Sequence, residues 1–449
     1  MAGLCGIARH AACHAERRCP TGVLPASYRD KVPVRAPHLH DALRSFCLAA
    51  FAFLGPEMEE VGEIPFVVDR HDGLYEYRPL LRDQIEARAQ ALSQLEDARI
   101  ALADLSREPA ATIFTRGLPG AAAGAERVLF RTILLPLLVR TAEACGGFDW
   151  EDGAFNRVYG ELEQSLFGAA RSYAAASPLV GLSVGQTVDL GRGIEVRATT
   201  AAELASRWPE SRDLVPPRFG DEPERSSVLS LGRDLSAGET VPPDAPAELA
   251  DAVTALRLAT GAPIAAGPLV FEQLDRHPFE ARPMLGIAAT EPGGEPTRLD
   301  PWRGALAADL LARLSSSERE AGIGEGIELW ELALFEAEPL RSERLREALV
   351  ALLGGLDGPW AAAMRAAMLL GETSPERAAL SEGLRALARG EEGGADTVDT
   401  LRRTIVETVL HDEPDRLIAD LDDALLGLRA RPPGYFGTRA LRHDSGAAA

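Results

Sequence analysis

Apolar residues recur every three or four positions through most of 303–430. The sets are Ile327, Trp330 and Leu334; Leu345, Leu349 and Leu352; Trp360, Met364, Ala367 and Met368; Leu380, Leu384 and Leu387; Val398, Leu401, Ile405 and Val409; and Leu417, Leu421, Leu425 and Leu428. That period puts each set on one stripe of an α-helix. Helices with one apolar stripe bury it against each other, so residues 301–436 are predicted to form an all-α bundle. Ser374 suits the N-cap and Pro375 the first position of one of these helices.

Upstream the pattern changes twice. Residues 41–180 read as mainly helical, with two short strands, "IPFVV" and "LYEYR", ahead of a long helix from about Pro79 to Leu105. The segment "ERVLFRTILLPLLVRTAEA" is a helix that Pro136 should kink. A third helix follows "GGFDWEDG" and runs through "AFNRVYGELEQSLFGAARSYAAA". Over 181–300, glycine and proline punctuate short alternating runs, "QTVDL", "GIEVRAT", "SSVLSL", "GPLVFEQL" and "MLGIAAT", between short helices. These are strand signals, and they predict a small mixed α+β module with an antiparallel sheet. Residues 1–40 show no apolar period and are expected to be a flexible arm; 437–449 are expected to be a disordered tail. The fold class is α+β.

Composition narrows the chemistry. The net charge is −21 and Lys31 is the single lysine of 449 residues. A phosphate-binding Walker loop and a pyridoxal Schiff base each need a lysine, and Lys31 lies in a polar stretch next to a proline. The acidic balance argues against nucleic acid and anionic membranes, which bind clustered cations. The longest apolar runs, "CLAAFAFL" and "ILLPLLV", fall far short of the roughly 20 residues that span a bilayer. Five cysteines, three of them in the first nineteen residues, make no disulfide framework and fit a reducing cytoplasm.

Few motifs carry chemistry. "GLSVG" at 181–185 matches the serine-hydrolase elbow, with Ser183 as the nucleophile of that alternative. The residues after it read as a strand, where the elbow needs a helix. "GIGEGIE" and "GLPGAAAG" read as linkers. Cys5, His10, Cys13, His14 and Cys19 are metal-ligand types without paired spacing. Asp149, Glu151 and Asp152 stand where a helix start favours acids. His277 sits in a pre-proline loop and His411 at a helix end, where imidazolium suits the dipole. No cofactor or metal is expected.

The stretch "WAAAMRAAMLLGETSPERAALSEGLRALARG", followed by "DTLRRTIVETVLHDEPDRLIADLDDALLG", resembles the Apea-like HEPN family of bacterial helical domains. The resemblance covers roughly Trp330 to Gly427. It rests on Arg365-Ala366-Ala367 before Leu369-Leu370-Gly371, then Arg377, the pair Arg402-Arg403, and the closing "LDDALLG". Active members carry an arginine and, after four to six intervening residues, a histidine, which together hold and deprotonate RNA. Here Arg389 takes the arginine place and the histidine place falls near Gly393 or Gly394. The resemblance therefore implies a domain without its catalytic pair: a non-catalytic interaction or sensor module with a protein partner, of the kind found in bacterial stress or defence systems. A divergent ribonuclease using Arg403 and His411, with Arg389, is the alternative. The family's dimers imply a homodimer through the C-terminal bundle, with Trp360, Met364 and Met368 on the contact face.

Overall fold

The structure is a computed structural model that describes residues 35–61, 66–71, 74–79, 81–115, 121–208, 211–216, 219–220, 226–236, 239–279, 281–284, 295–315, 321–411 and 413–435. Helices at both ends enclose a central antiparallel sheet, the α+β class that the sequence predicts. The first helix, α1 (Pro37–Val61), begins inside the expected arm. Ala36, Leu39, Leu43 and Phe46 are buried, and the Arg35 N–H donates to Glu163. Residues 1–34, with their cysteines and histidines, and the tail beyond Tyr435 lie outside the described residues.

The two expected strands, β1 (Phe66–His71) and β2 (Leu74–Pro79), pair antiparallel as a hairpin. The helix expected over Pro79–Leu105 is broken into α2 (Leu81–Glu86), α3 (Ala89–Leu92) and α4 (Glu96–Arg107). Ser93 turns its hydroxyl onto the Gln90 carbonyl and Leu95 is extended, a local alternative to the helical ladder. A 3₁₀ turn (Pro109–Phe114) leads to α5 (Ala121–Leu129), a π-helical turn (Phe130–Leu134) and α6 (Leu135–Cys145). Pro136 removes a donor, and the widened turn just before it accommodates that loss. Next comes α7 (Asp152–Phe167).

Here the structure departs from the pattern. The alanine-rich end of the expected third helix is β3 (Ala170–Val180), the longest strand among the described residues. Its pairing with neighbours on both edges overrides the helical preference of alanine. After β4 (Leu182–Val184), β5 (Val188–Gly191) and β6 (Ile194–Ala198) come α8 (Ala201–Arg207), α9 (Ser211–Leu214) and β7 (Ser227–Ser236). Then follow α10 (Ala245–Thr260), β8 (Ala265–Ala266), β9 (Leu269–Leu274), β10 (His277–Pro278), β11 (Arg282–Pro283) and β12 (Thr297–Leu299). The main sheet has the order β10-β9-β3-β7-β6-β5, with β8 on β3 and β11 on β9. Separately, β12 pairs with β4 in parallel.

The bundle comprises α11 (Pro301–Leu314), α12 (Ala321–Ala333), α13 (Leu340–Leu353), α14 (Gly358–Leu370), α15 (Ser374–Ala388), α16 (Ala395–Val409) and α17 (Pro414–Leu425). α16 is its central rod, touching α10 to α15 and α17. "GIGEGIE", expected as a linker, is helical. A Cβ at Gly326 would lie 2.5 Å from Leu352, and one at Gly322 2.7 Å from the Ala351 carbonyl, so the missing side chains let α12 lie close against α13. One apolar core runs from α1 through the sheet into the bundle.

Candidate functional site

The turn between α15 and α16 is where the resemblance places a catalytic arginine. Arg389 is the C-cap of α15, and Gly390 follows with φ of +85°. The Gly390 N–H donates to the Leu387 carbonyl and the Glu391 N–H to that of Ala386, the two bonds of a Schellman stop. Farther along, the Gly393 N–H donates to Ser342 Oγ at 2.8 Å. The glycines are thus explained by helix termination and a tether to α13. Arg389 points its Nε at Glu391 Oε1, 2.5 Å away. That bond holds the carboxyl below its usual range and the guanidinium above its own.

The three candidate residues do not converge. Arg389 precedes the N-terminal end of α16, and His411 lies past its C-terminal end. A helix of 15 residues separates them, about 22 Å at 1.5 Å per residue. His411 accepts the Glu413 N–H on Nδ1, a local turn. Arg403 stands within α16, two turns before that end. Arg365, part of the resemblance, is a structural hub. It is buried, and its guanidinium grips Asp422 through two bonds of 2.8 Å, bonds the Leu353 carbonyl at 2.8 Å, and reaches Asp357. The Asp422 hydrogen bond, followed by Asp357, raises its pKa despite burial.

Ser183 lies in the middle of β4, paired in register with Arg298. A bend and then β5 follow, so no helix starts behind the serine. In the sheet, the Tyr173 hydroxyl donates to Glu272, and Arg282 holds both Glu272 oxygens, at 2.6 and 2.7 Å. Burial, reinforced by the Glu272 charge, raises the Tyr173 pKa. His277, expected in a loop, is in β10 and fully buried, and neither ring nitrogen has a hydrogen-bond partner among the described residues. Burial, helped by the Arg140 charge, pushes its pKa down to about 3, so the ring is neutral. Burial raises the Cys47 thiol well above its ordinary range, which makes it a poor nucleophile. Among the described residues, no group of three metal-ligand side chains gathers to hold an ion.

Two surfaces flank α15. On one side Trp360, which the sequence sets on an apolar stripe and on the implied dimer face, is 50% exposed, with the Arg385 guanidinium 5.8 Å above its ring. Arg385 also reaches Met364 Sδ at 3.0 Å. The buried face of α14 holds Ala367 of that stripe with Ala362, Ala363, Ala366 and Leu369, and Met368 packs against the core. On the other side, α15 and the start of α16 leave an open groove of about 490 Å³. Leu380 and Leu384 line it from α15 with Ala379 and Gly383, opposite Asp396 and Thr397. Sequence reasoning missed this feature, although one signal was present: Gly383 interrupts an otherwise strong helical pattern.

No helix among the described residues is long and apolar enough to cross a membrane. The chain matches no family model, no curated protein and no solved structure.

Proposed function

We propose that the protein is a non-catalytic interaction module whose C-terminal bundle is a binding scaffold, a HEPN-like hairpin without the ribonuclease pair. The observation that supports this reading is the turn after α15. Its arginine is held by Glu391, Gly390 terminates the helix, Gly393 is tethered to Ser342, and the nearest downstream histidine lies beyond the far end of α16. An RNA phosphate approaching Arg389 would meet Glu391 and Glu392 instead of an imidazole. The test is incubation of the purified chain with single-stranded RNA, beside Arg403→Ala and His411→Ala. No cleavage by any of the three is expected. Cleavage by wild type that both substitutions abolish would overturn the reading in favour of the divergent ribonuclease. Labelling of Ser183 by a fluorophosphonate would overturn it in favour of a hydrolase.

Self-association through the bundle is a second reading, favoured by the half-exposed Trp360 and the fully exposed Leu356 just ahead of α14. Light scattering at micromolar protein is expected to return twice the chain mass, and Trp360→Ser to return one. A single chain mass for wild type contradicts it.

A further inference from the structure

Gly383 is not required by packing within the described residues. It sits mid-helix in α15, where glycine weakens a helix relative to alanine. A Cβ built there would meet only Thr397 Oγ1, at 3.9 Å. At Gly322 and Gly326 a Cβ would strike the neighbouring helix, whereas Gly55, Gly124 and Gly160 are as open within their helices; Gly383 differs from those three in lining the groove. What Gly383 does is leave the wall of the groove bare, so that something outside the chain can approach the α15 backbone closely.

The charge around the groove says what that something is. Asp396 stands in the wall, and Glu382 directly precedes Gly383. Among the described residues, neither these two nor Glu392 forms an ion pair. Of the cations near these acids, Arg385 lies over the Trp360 ring and against Met364, while Arg389 bonds Glu391 and also feels the charge of Glu382. An anion at the start of α16 is disfavoured, because Asp396 already occupies that end of the dipole. A second copy presenting the same face would set Asp396 and Glu382 against themselves, on a chain of net charge −21.

Building on the interaction-module reading, we propose that the groove between α15 and α16 docks a basic amphipathic helix of a partner protein. Its small apolar side chains would lie over Gly383 and Ala379, and its arginines or lysines would reach Asp396 and Glu382. A third helix laid into the valley between two others is an ordinary recognition mode, and small residues permit the close approach.

The probe is a fluorescent synthetic helix with an alanine–leucine face flanked by arginines, with an otherwise identical glutamate-flanked helix as control. Anisotropy is read on the full-length protein, on Gly383→Leu, which fills the groove, and on the double variant Glu382→Arg with Asp396→Arg. Gly383→Leu introduces a good helix former into open space, so it retains the fold, and circular dichroism checks this. The arginine helix is expected to bind wild type and to lose roughly tenfold or more in affinity on each variant. The glutamate helix is expected not to bind. Absence of binding overturns the proposal. So does equal binding to Gly383→Leu, which would mean a nonspecific attraction to an acidic surface. Equal binding of the glutamate helix overturns the basic partner. A fall in solution mass with Gly383→Leu alone would replace the partner by a second copy. None of these outcomes touches the interaction-module reading, which the RNA assay decides separately.

Discussion

At the scale of single residues, the strongest physical statements concern buried polar groups. His277 is neutral in the folded chain, because burial holds its pKa at about 3. In the unfolded chain an ordinary histidine titrates near 6.5. Between those values the unfolded state binds the extra proton, so this residue's effect is a stability that is full above about 6.5 and falls as pH drops toward 3. The slope is at most about 1.4 kcal/mol per pH unit. Denaturant melts of wild type and His277→Leu from pH 7 to 4 are expected to diverge, with wild type losing more. Parallel curves would show that His277 has a partner in the folded state. A second buried group, Arg257, donates to Glu331 at 3.0 Å, and both side chains are buried. Arg257→Met strands that carboxylate and is expected to cost about 3–5 kcal/mol. Adding Glu331→Met to it should recover most of the loss, as urea melts would report. A double variant no more stable than the single one would contradict the pairing.

At the scale of elements, the α15 hairpin gives opposite expectations for two glycines. Gly390 sits at φ of +85° in the helix stop, so Gly390→Ala is expected to destabilise by about 1 kcal/mol or more. Gly383→Ala, in open helical space, is expected to stabilise by about 0.5–1 kcal/mol. Thermal melts with the same sign for both would refute the local geometry. The start of α15 lies one residue earlier than its serine suggested. Thr373 is the N-cap and forms a capping box with Glu376, leaving Pro375 in the second helical position. The shift shows what was legible. The three-to-four period exposed the helices of the bundle, since Leu384, Leu401 and Leu421 each face the core. It does not say which neighbour each face meets: Trp360 and Leu428 both fall on apolar stripes of the sequence, yet Trp360 is half exposed and Leu428 is exposed. The alanines of β3 and the glycines of α12 misled for one reason. Their conformation is decided by tertiary partners, β7 and β9 for one and α13 for the other. The acidic groove was half legible, because Gly383 and the acids around it are visible in sequence while their meeting across two helices is not.

At the scale of the whole molecule, one core joins α1, the sheet and the bundle. The N-terminal helix is therefore structural from its first turn. A chain beginning at Asp41 loses Leu39, fully buried, and the Arg35–Glu163 bond. Burial of such a leucine contributes about 1.5–3 kcal/mol. That chain is expected to melt several degrees below one beginning at Arg35, and equal melting would contradict the packing of α1. The same shared core ties the bundle to the sheet, and the proposed binding groove lies between α15 and α16 of that bundle. Hydrogen–deuterium exchange with and without the arginine-flanked helix tests that account most directly. Added protection is expected to be confined to α15 and the first two turns of α16. No added protection there, or protection spread evenly over the acidic surface, would contradict it.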